Sequence, residues 1–262
     1  MPLLALIVLC AALGGVASAA FAVVFLWLPE RIAVRVLPHF VSFATGALLG
    51  AALLALLPEA LAGAGVAGAH AVGATLLAGL GVFFVIEKLV LWWHVGDYAA
   101  HDHGTHDHGA ARDHASGVLV LVGDSLHNAL DGVLIAAAFM TDRTLGLVST
   151  LAVAAHEIPH RVGDFAVLVH GGFTRARALA LNLATGLAAV VGALAAWYGL
   201  RRTLGLLPYA LAFAAAGFLY IAVAGLIPGL HRRADARTSA VQVILVALGI
   251  AVIAVAERLA GH

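Results

Sequence analysis

Residues 149–170 read "STLAVAAHEIPHRVGDFAVLVH": two apolar runs suited to a helix in lipid, interrupted by His156, Glu157, His160, Arg161 and Asp164. The interruption contains H-E-x-x-H, a zinc signature in which two histidines lie one helical turn apart beside a glutamate. His156, His160 and Asp164 recur at four-residue spacing and so share one stripe of a helix. Pro159 removes a backbone donor and crowds the preceding turn, which predicts a kink and leaves the carbonyl of Ala155 free to face a cation. Such a cluster inside an apolar helix belongs either to a protease buried in a membrane or to a place where a metal crosses one.

Composition places the whole chain in a membrane. It has 262 residues, 63% hydrophobic and 11% charged, with mean hydropathy +1.04, whereas a soluble domain carries about 25% charged residues. The formal charge is zero, so nothing points to nucleic acid. A lone cysteine, Cys10, excludes an intrachain disulfide and a cysteine-based zinc site. Fourteen histidines leave imidazole and carboxylate as the metal ligands present in quantity.

Spanning lipid takes about 20 mainly apolar residues. Eight stretches qualify, roughly 3–28, 38–62, 68–93, 117–140, 145–170, 178–200, 209–230 and 239–260. Backbone groups in hydrocarbon must bond internally, and long runs poor in turns favour helices over barrel strands. The predicted fold is therefore an all-α polytopic membrane protein, a single domain of eight transmembrane helices over 1–262. The N-terminal run lacks the basic start of a signal peptide and continues apolar through "AVVFLWLP", so it is read as the first span. Arg31, Arg35, Lys88, Arg112, Arg175, Arg177, Arg232, Arg233 and Arg237 fall on one side, against Arg143, Arg201, Arg202 and Arg258 on the other. That bias places the first set in the cytoplasm and both termini outside. The expected setting is a bacterial inner (plasma) membrane. Arg161 belongs to neither side, being inside span five.

Ionisable residues at membrane depth are costly and usually functional. Span four, "GDSLHNALDGVLIAAAF" (123–139), carries Asp124, His127, Asn128 and Asp131, with His127 and Asp131 on one face. The short connection "TDRT" makes spans four and five antiparallel neighbours. Their central pairs, His127 with Asp131 and His156 with His160, then meet at one level as a four-coordinate, zinc-like site near the bilayer midplane. Interhelical glue needs one or two polar residues, not the nine present here.

In the protease reading, "LDG" (130–132) stands for the third ligand of an intramembrane zinc metalloprotease. There the aspartate motif follows H-E-x-x-H, whereas Asp131 precedes His156. Glu157 would also have to activate water with Arg161 one turn away to occupy it. This remains the alternative function; a metal sensor without flux is a third.

The two quoted motifs resemble the fourth- and fifth-span signatures of the ZIP (Zrt/Irt-like) family of divalent metal transporters, H-N-x-x-D-G and H-E-x-P-H-x-x-G-D. The resemblance extends to "FATGALLGAALLALLPEAL" (43–61), to "AAAGFLYIAVAGLIPGL" (214–230), and to a His-rich loop after span three. It implies a transporter rather than an enzyme, importing Zn2+ or a related divalent transition metal as substrate. It also implies a two-metal centre, elevator-like movement of one helix group, and homodimers. Carried onto this chain, the first site is His127, Asp131, His156 and His160. The second is Asn128, Asp131, Glu157 and His160. Four positions depart from the family pattern: Arg161 stands where Glu is frequent, Gly225 and Gly229 where carboxylates are found, and Ala55 where a His is found. A guanidinium cannot ligate a metal. Arg161 is therefore expected either to pair with Glu157 or Asp164 in place of a second cation, or to face a cytoplasmic cavity as a solvated charge.

Asp124, Asp164 and Glu59 are candidates for the pathway, relaying protons or neutralising the cation, and Glu59 is as well read as a rim carboxylate beside Pro58. The loop 94–116 holds His101, His103, His106, His108 and His114 among aspartates. Flexible imidazoles of that kind bind transition metals weakly as a buffer or sensor, or are merely a solvated linker.

Overall fold

The computed structural model describes residues 2–18, 30–99, 109–170, 173–231 and 236–260. Among these every regular element is helical. In chain order they are α1 (Leu3–Ala12) with a π-helical turn Leu13–Ala17, α2 (Glu30–Gly50), a π-helical turn Ala51–Leu56, and α3 (Leu57–Ala99). Next come α4 (Gly109–Thr141), α5 (Arg143–His170) and α6 (Arg175–Leu200). A 3-10 turn Leu204–Leu206 leads into α7 (Leu207–Tyr220), a π-helical turn Ile221–Leu226, α8 (Ile227–His231) and finally α9 (Ala236–Ala260).

Two of the π-helical turns share a cause. Each ends two residues before a proline, Pro58 or Pro228. Proline offers no N–H to the carbonyl four residues back and crowds it, so the helix widens upstream to rehouse those carbonyls. Helical geometry breaks inside α3 at Gly65, with φ 65° and ψ −179°. That conformation is open essentially to glycine alone. It falls between the two apolar stretches expected as spans, 38–62 and 68–93.

Among the described residues, four helical stretches are long and apolar enough to cross a membrane: Val36–Leu89, kinked at Gly65, then Arg175–Leu200, Leu204–His231 and Thr238–Arg258. Leu3–Val16 is apolar but shorter. The two helices that carry the ionisable cluster, α4 and α5, are not among them.

Helices extend beyond the apolar stretches that announced them. α2 begins at Glu30 rather than 38 and runs through Pro38. α3 continues to Ala99 and α4 starts at Gly109, so both ends of the expected loop 94–116 are helical. Hydropathy marks where lipid ends, but helix-forming Ala and Arg in "GAARDHAS" carry the backbone ladder further. His101, His103, His106 and His108 lie outside the described residues. His114 falls in the first turns of α4, its side chain likewise outside what is described. α5 is helical throughout Arg143–His170, past position 159.

Small residues decide which helices touch. α4 packs on α6 through a reciprocal contact, Gly132 against the Ala189 carbonyl and Gly192 against the Ala129 carbonyl, where an added methyl would overlap the oxygen. Backbones approach that closely only without side chains between them. Gly46 and Gly249 make the equivalent contact between α2 and α9. α4, α6, α5 and α1 pack on one another, as do α2 with α9 and α3 with α7, and α2 also packs on α5 and so joins the two groups. The polar cluster sits in the first group, facing the second.

Candidate metal centre

α4 and α5 are joined at Asp142, whose Oδ1 accepts hydrogen bonds from the backbone N–H groups of Thr144 (2.7 Å) and Leu145 (3.1 Å) and so caps α5. The tight connection sets the two helices side by side and antiparallel, bringing their polar stripes into register.

Four donor atoms then converge. His127 Nε2 lies 3.2 Å from His156 Nε2, 3.5 Å from Glu157 Oε1 and 3.8 Å from Asp131 Oδ2. His156 Nε2 lies 3.4 Å from Asp131 Oδ2 and 3.8 Å from Glu157 Oε1. Zinc bonds of 2.0–2.2 Å in tetrahedral geometry place neighbouring ligands roughly 3.3–3.6 Å apart. The observed edges bracket that value. Asp131 Oδ2 and Glu157 Oε1 are buried without a hydrogen-bond partner. His156 Nδ1 lies 3.1 Å from the Ala152 carbonyl, which can only accept. Nδ1 therefore donates, and the ring turns its Nε2 into the cluster. The two unbonded carboxylate oxygens repel one another across the cluster, and a cation at its centre turns that repulsion into binding.

The expected quartet is thus brought together only in part. His127, Asp131 and His156 meet, and Glu157 supplies the fourth atom. His160 lies elsewhere: its Nε2 is 3.5 Å from Asp124 Oδ1 and 3.5 Å from Asp164 Oδ2. Positions i and i+4 differ by about 6 Å along a helix, and the side chain of His160 does not lean back to close that gap. Glu157, next to His156, reaches the required depth instead.

Arg161 is fully buried, which corrects the reading of it as a solvated charge. Its Nε donates to Glu157 Oε2 (2.8 Å) and its Nη2 to Asn128 Oδ1 (2.5 Å). Its Nη1 donates to Asp124 Oδ2 (3.1 Å), the Asn182 carbonyl (2.7 Å), Asn182 Oδ1 (2.9 Å) and Thr185 Oγ1 (2.6 Å). Of the two carboxylates expected to pair with it, Glu157 does. Asn128, nominated for a second metal, instead bonds Arg161 through its oxygen and Asp124 through its nitrogen. Asn182 and Thr185 were missed in the sequence; the signal was "LNLATG" (181–186), two polar side chains inside an otherwise apolar span. Glu59, in the first turn of α3, joins neither cluster.

A cavity of about 660 Å³ reaches the cluster, lined by His127, His156, His160 and Asp164 on one side and by Phe83, Glu87 and Tyr220 on the other. Gly225 and Gly229 line it too, so the positions where the family resemblance led one to expect carboxylates present bare backbone. Tyr220 donates its hydroxyl hydrogen bond to Glu87 across the opening.

Comparison with known proteins follows the same line. The family described as ZIP Zinc transporter matches residues 96–257. Zinc transporter ZIP13 of Pongo abelii is 34% identical, over 82% of this chain and 65% of its own length. Zinc transporter ZIP13 of Homo sapiens is 32% identical over 82% of this chain and 69% of its own. Zinc transporter zipt-7.1 of Caenorhabditis briggsae is 31% identical over 74% and 62%. The chain spans about two thirds of the length of these curated relatives.

Proposed function

The chain belongs to the ZIP zinc transporter family, and from that premise we propose that it carries a divalent transition metal, zinc foremost, across a membrane. The metal is its substrate. The observation that carries the reading is the convergence of His127, Asp131, His156 and Glu157 with two carboxylate oxygens left unbonded. Two imidazoles and two carboxylates at tetrahedral separations suit zinc. Magnesium demands octahedral oxygen and dehydrates reluctantly; calcium takes six to eight oxygens.

In this reading α1, the two arms on either side of Gly65, α4, α5, α6, the α7–α8 unit and α9 make eight crossings, with the site near mid-depth. The cavity is lined by Leu37 and Val41 early in α2, Glu87 late in α3, Asp164 late in α5 and Gly229 in α8. These are the helix ends that bear the excess of Arg and Lys, so the cavity faces the cytoplasm and the conformation is inward-open. Import follows when α1, α4, α5 and α6 move against the other group and expose the same ligands to the opposite side.

Arg161 sets the stoichiometry at one metal. Asp124, Asp131, Glu157 and Asp164 with Arg161 leave three formal negative charges, the imidazoles neutral. One divalent cation leaves a single negative charge, and a second would reverse the sign. With Glu at 161 the core would carry five negative charges and accommodate two cations. The protease reading is set aside, because the matching family is one of transporters and Glu157 Oε1 is turned into the ligand cluster as its fourth donor.

The test is flux into lipid vesicles that contain the full chain and enclose a zinc-responsive dye. Wild-type protein is expected to admit zinc, and His127→Ala or His156→Ala to slow entry by at least about tenfold, since second-shell losses alone cost 10–100-fold. Unchanged flux in both variants would overturn the assignment of the site.

A further inference from the structure

His160 and Asp164 take no part in the tetrahedral site, yet both line the cavity. Asp164 is 8% exposed, and its Oδ2 is buried with no hydrogen-bond partner. That oxygen and Asp124 Oδ1 each lie 3.5 Å from His160 Nε2, the separation adjacent ligands keep around a zinc-sized ion. All three donor atoms fall within 4.8 Å of one another.

We infer that Asp124, His160 and Asp164 form a second cation station, onto which the metal steps from the first site before it is released. The inference rests on the transport reading above and adds a route to it.

Position supports the order of the two stations. His160 follows His156 by one turn of α5, about 6 Å toward the cytoplasmic end. On antiparallel α4, Asp124 precedes His127 and Asn128 by one turn, a displacement in the same direction. The side chain of His156 is 2% exposed and that of His160 45%, so the step leads toward water. His127 stands between the two, its ring 5.4 Å from that of His156 and 5.3 Å from that of His160. An ion leaving the first site therefore has an imidazole on either side of it along the way.

Ligand number supports release. The first site offers four protein ligands; the second offers three, with its open side on the cavity. A position left open to water exchanges its ion readily, and conduction requires binding weak enough at the last site for the ion to leave.

Arg161 couples the two stations. It binds the rear oxygen of one carboxylate in each, Glu157 Oε2 and Asp124 Oδ2. The front oxygens, Glu157 Oε1 and Asp124 Oδ1, are thereby turned toward their own cations, Asp124 Oδ1 accepting also from Asn128 Nδ2 (2.8 Å). One guanidinium shared between two stations leaves charge enough for one divalent ion at a time, as a relay requires.

The experiment uses the full chain in detergent and in vesicles. With Asp164→Asn, tight zinc binding measured by calorimetry is expected to stay within about twofold of wild type while flux falls about tenfold. In the double variant His127→Ala/His156→Ala, cobalt is expected to bind weakly with a visible absorption band that disappears when His160→Ala is added. Flux within about twofold of wild type in Asp164→Asn overturns the inference. So does joint loss of tight binding and flux, which would place Asp164 in the first site or in the fold. An absent cobalt band in the double variant also overturns it, and would leave His160 as an imidazolium paired with two aspartates. If wild-type vesicles show no flux but the cobalt bands behave as stated, the transport reading fails and the second station stands.

Discussion

Replacing Arg161 by glutamate tests charge, packing and stoichiometry together. The side chain is fully buried and its donors satisfy five acceptors from Glu157, Asp124, Asn128 and Asn182 and the hydroxyl of Thr185. Breaking a buried ion pair by removing one partner costs about 3–5 kcal/mol, because the remaining charge is left uncompensated. Arg161→Glu abandons two carboxylates and adds a third, so metal-free protein is expected to lose at least that much stability. Metal should then restore what the guanidinium supplied. A ligand at a hundred times its Kd stabilises a one-site protein by about 2.7 kcal/mol, and two such sites give about twice that. Unfolding in detergent, with and without zinc at a hundredfold excess over Kd, should show roughly 2.7 kcal/mol of zinc stabilisation for wild type and about double for Arg161→Glu. Calorimetry should show one zinc per chain rising to two. A variant that keeps a stoichiometry of one, or matches wild-type stability without metal, would refute the claim that Arg161 stands in for a cation.

Two further outcomes follow from how α6 supports the site. Asn182→Ala removes the side-chain oxygen that accepts from Arg161 and the nitrogen that donates back to its carbonyl; leaving buried polar groups unpaired should cost about 1–3 kcal/mol, read by detergent unfolding, with zinc affinity lowered because Glu157 is less firmly oriented. Gly132→Leu forces a side chain into the Ala189 carbonyl and pries α4 from α6; overpacking of this kind costs about 1–3 kcal/mol, and zinc flux should fall although the residue touches no ligand.

The membrane class, the helical character and the neighbourhood of spans four and five were legible in the chain itself. Apolar run length reports on lipid, and four-residue spacing reports on helix faces, whatever the rest of the molecule does. His127, Asp131 and His156 were recognisable as partners for that reason. The tertiary structure decided the rest. It put Glu157 rather than His160 in the fourth position, because depth along a helix is settled by where side chains lean and not by their spacing. It buried Arg161 among Asp124, Asn128, Asn182 and Thr185, a set drawn from two other helices, α4 and α6, whose contact depends on glycines at Gly132 and Gly192. Periodicity within one helix carries no information about how close the next backbone comes. That approach, set by the absence of a few side chains, is what turns a list of polar residues into stations for an ion.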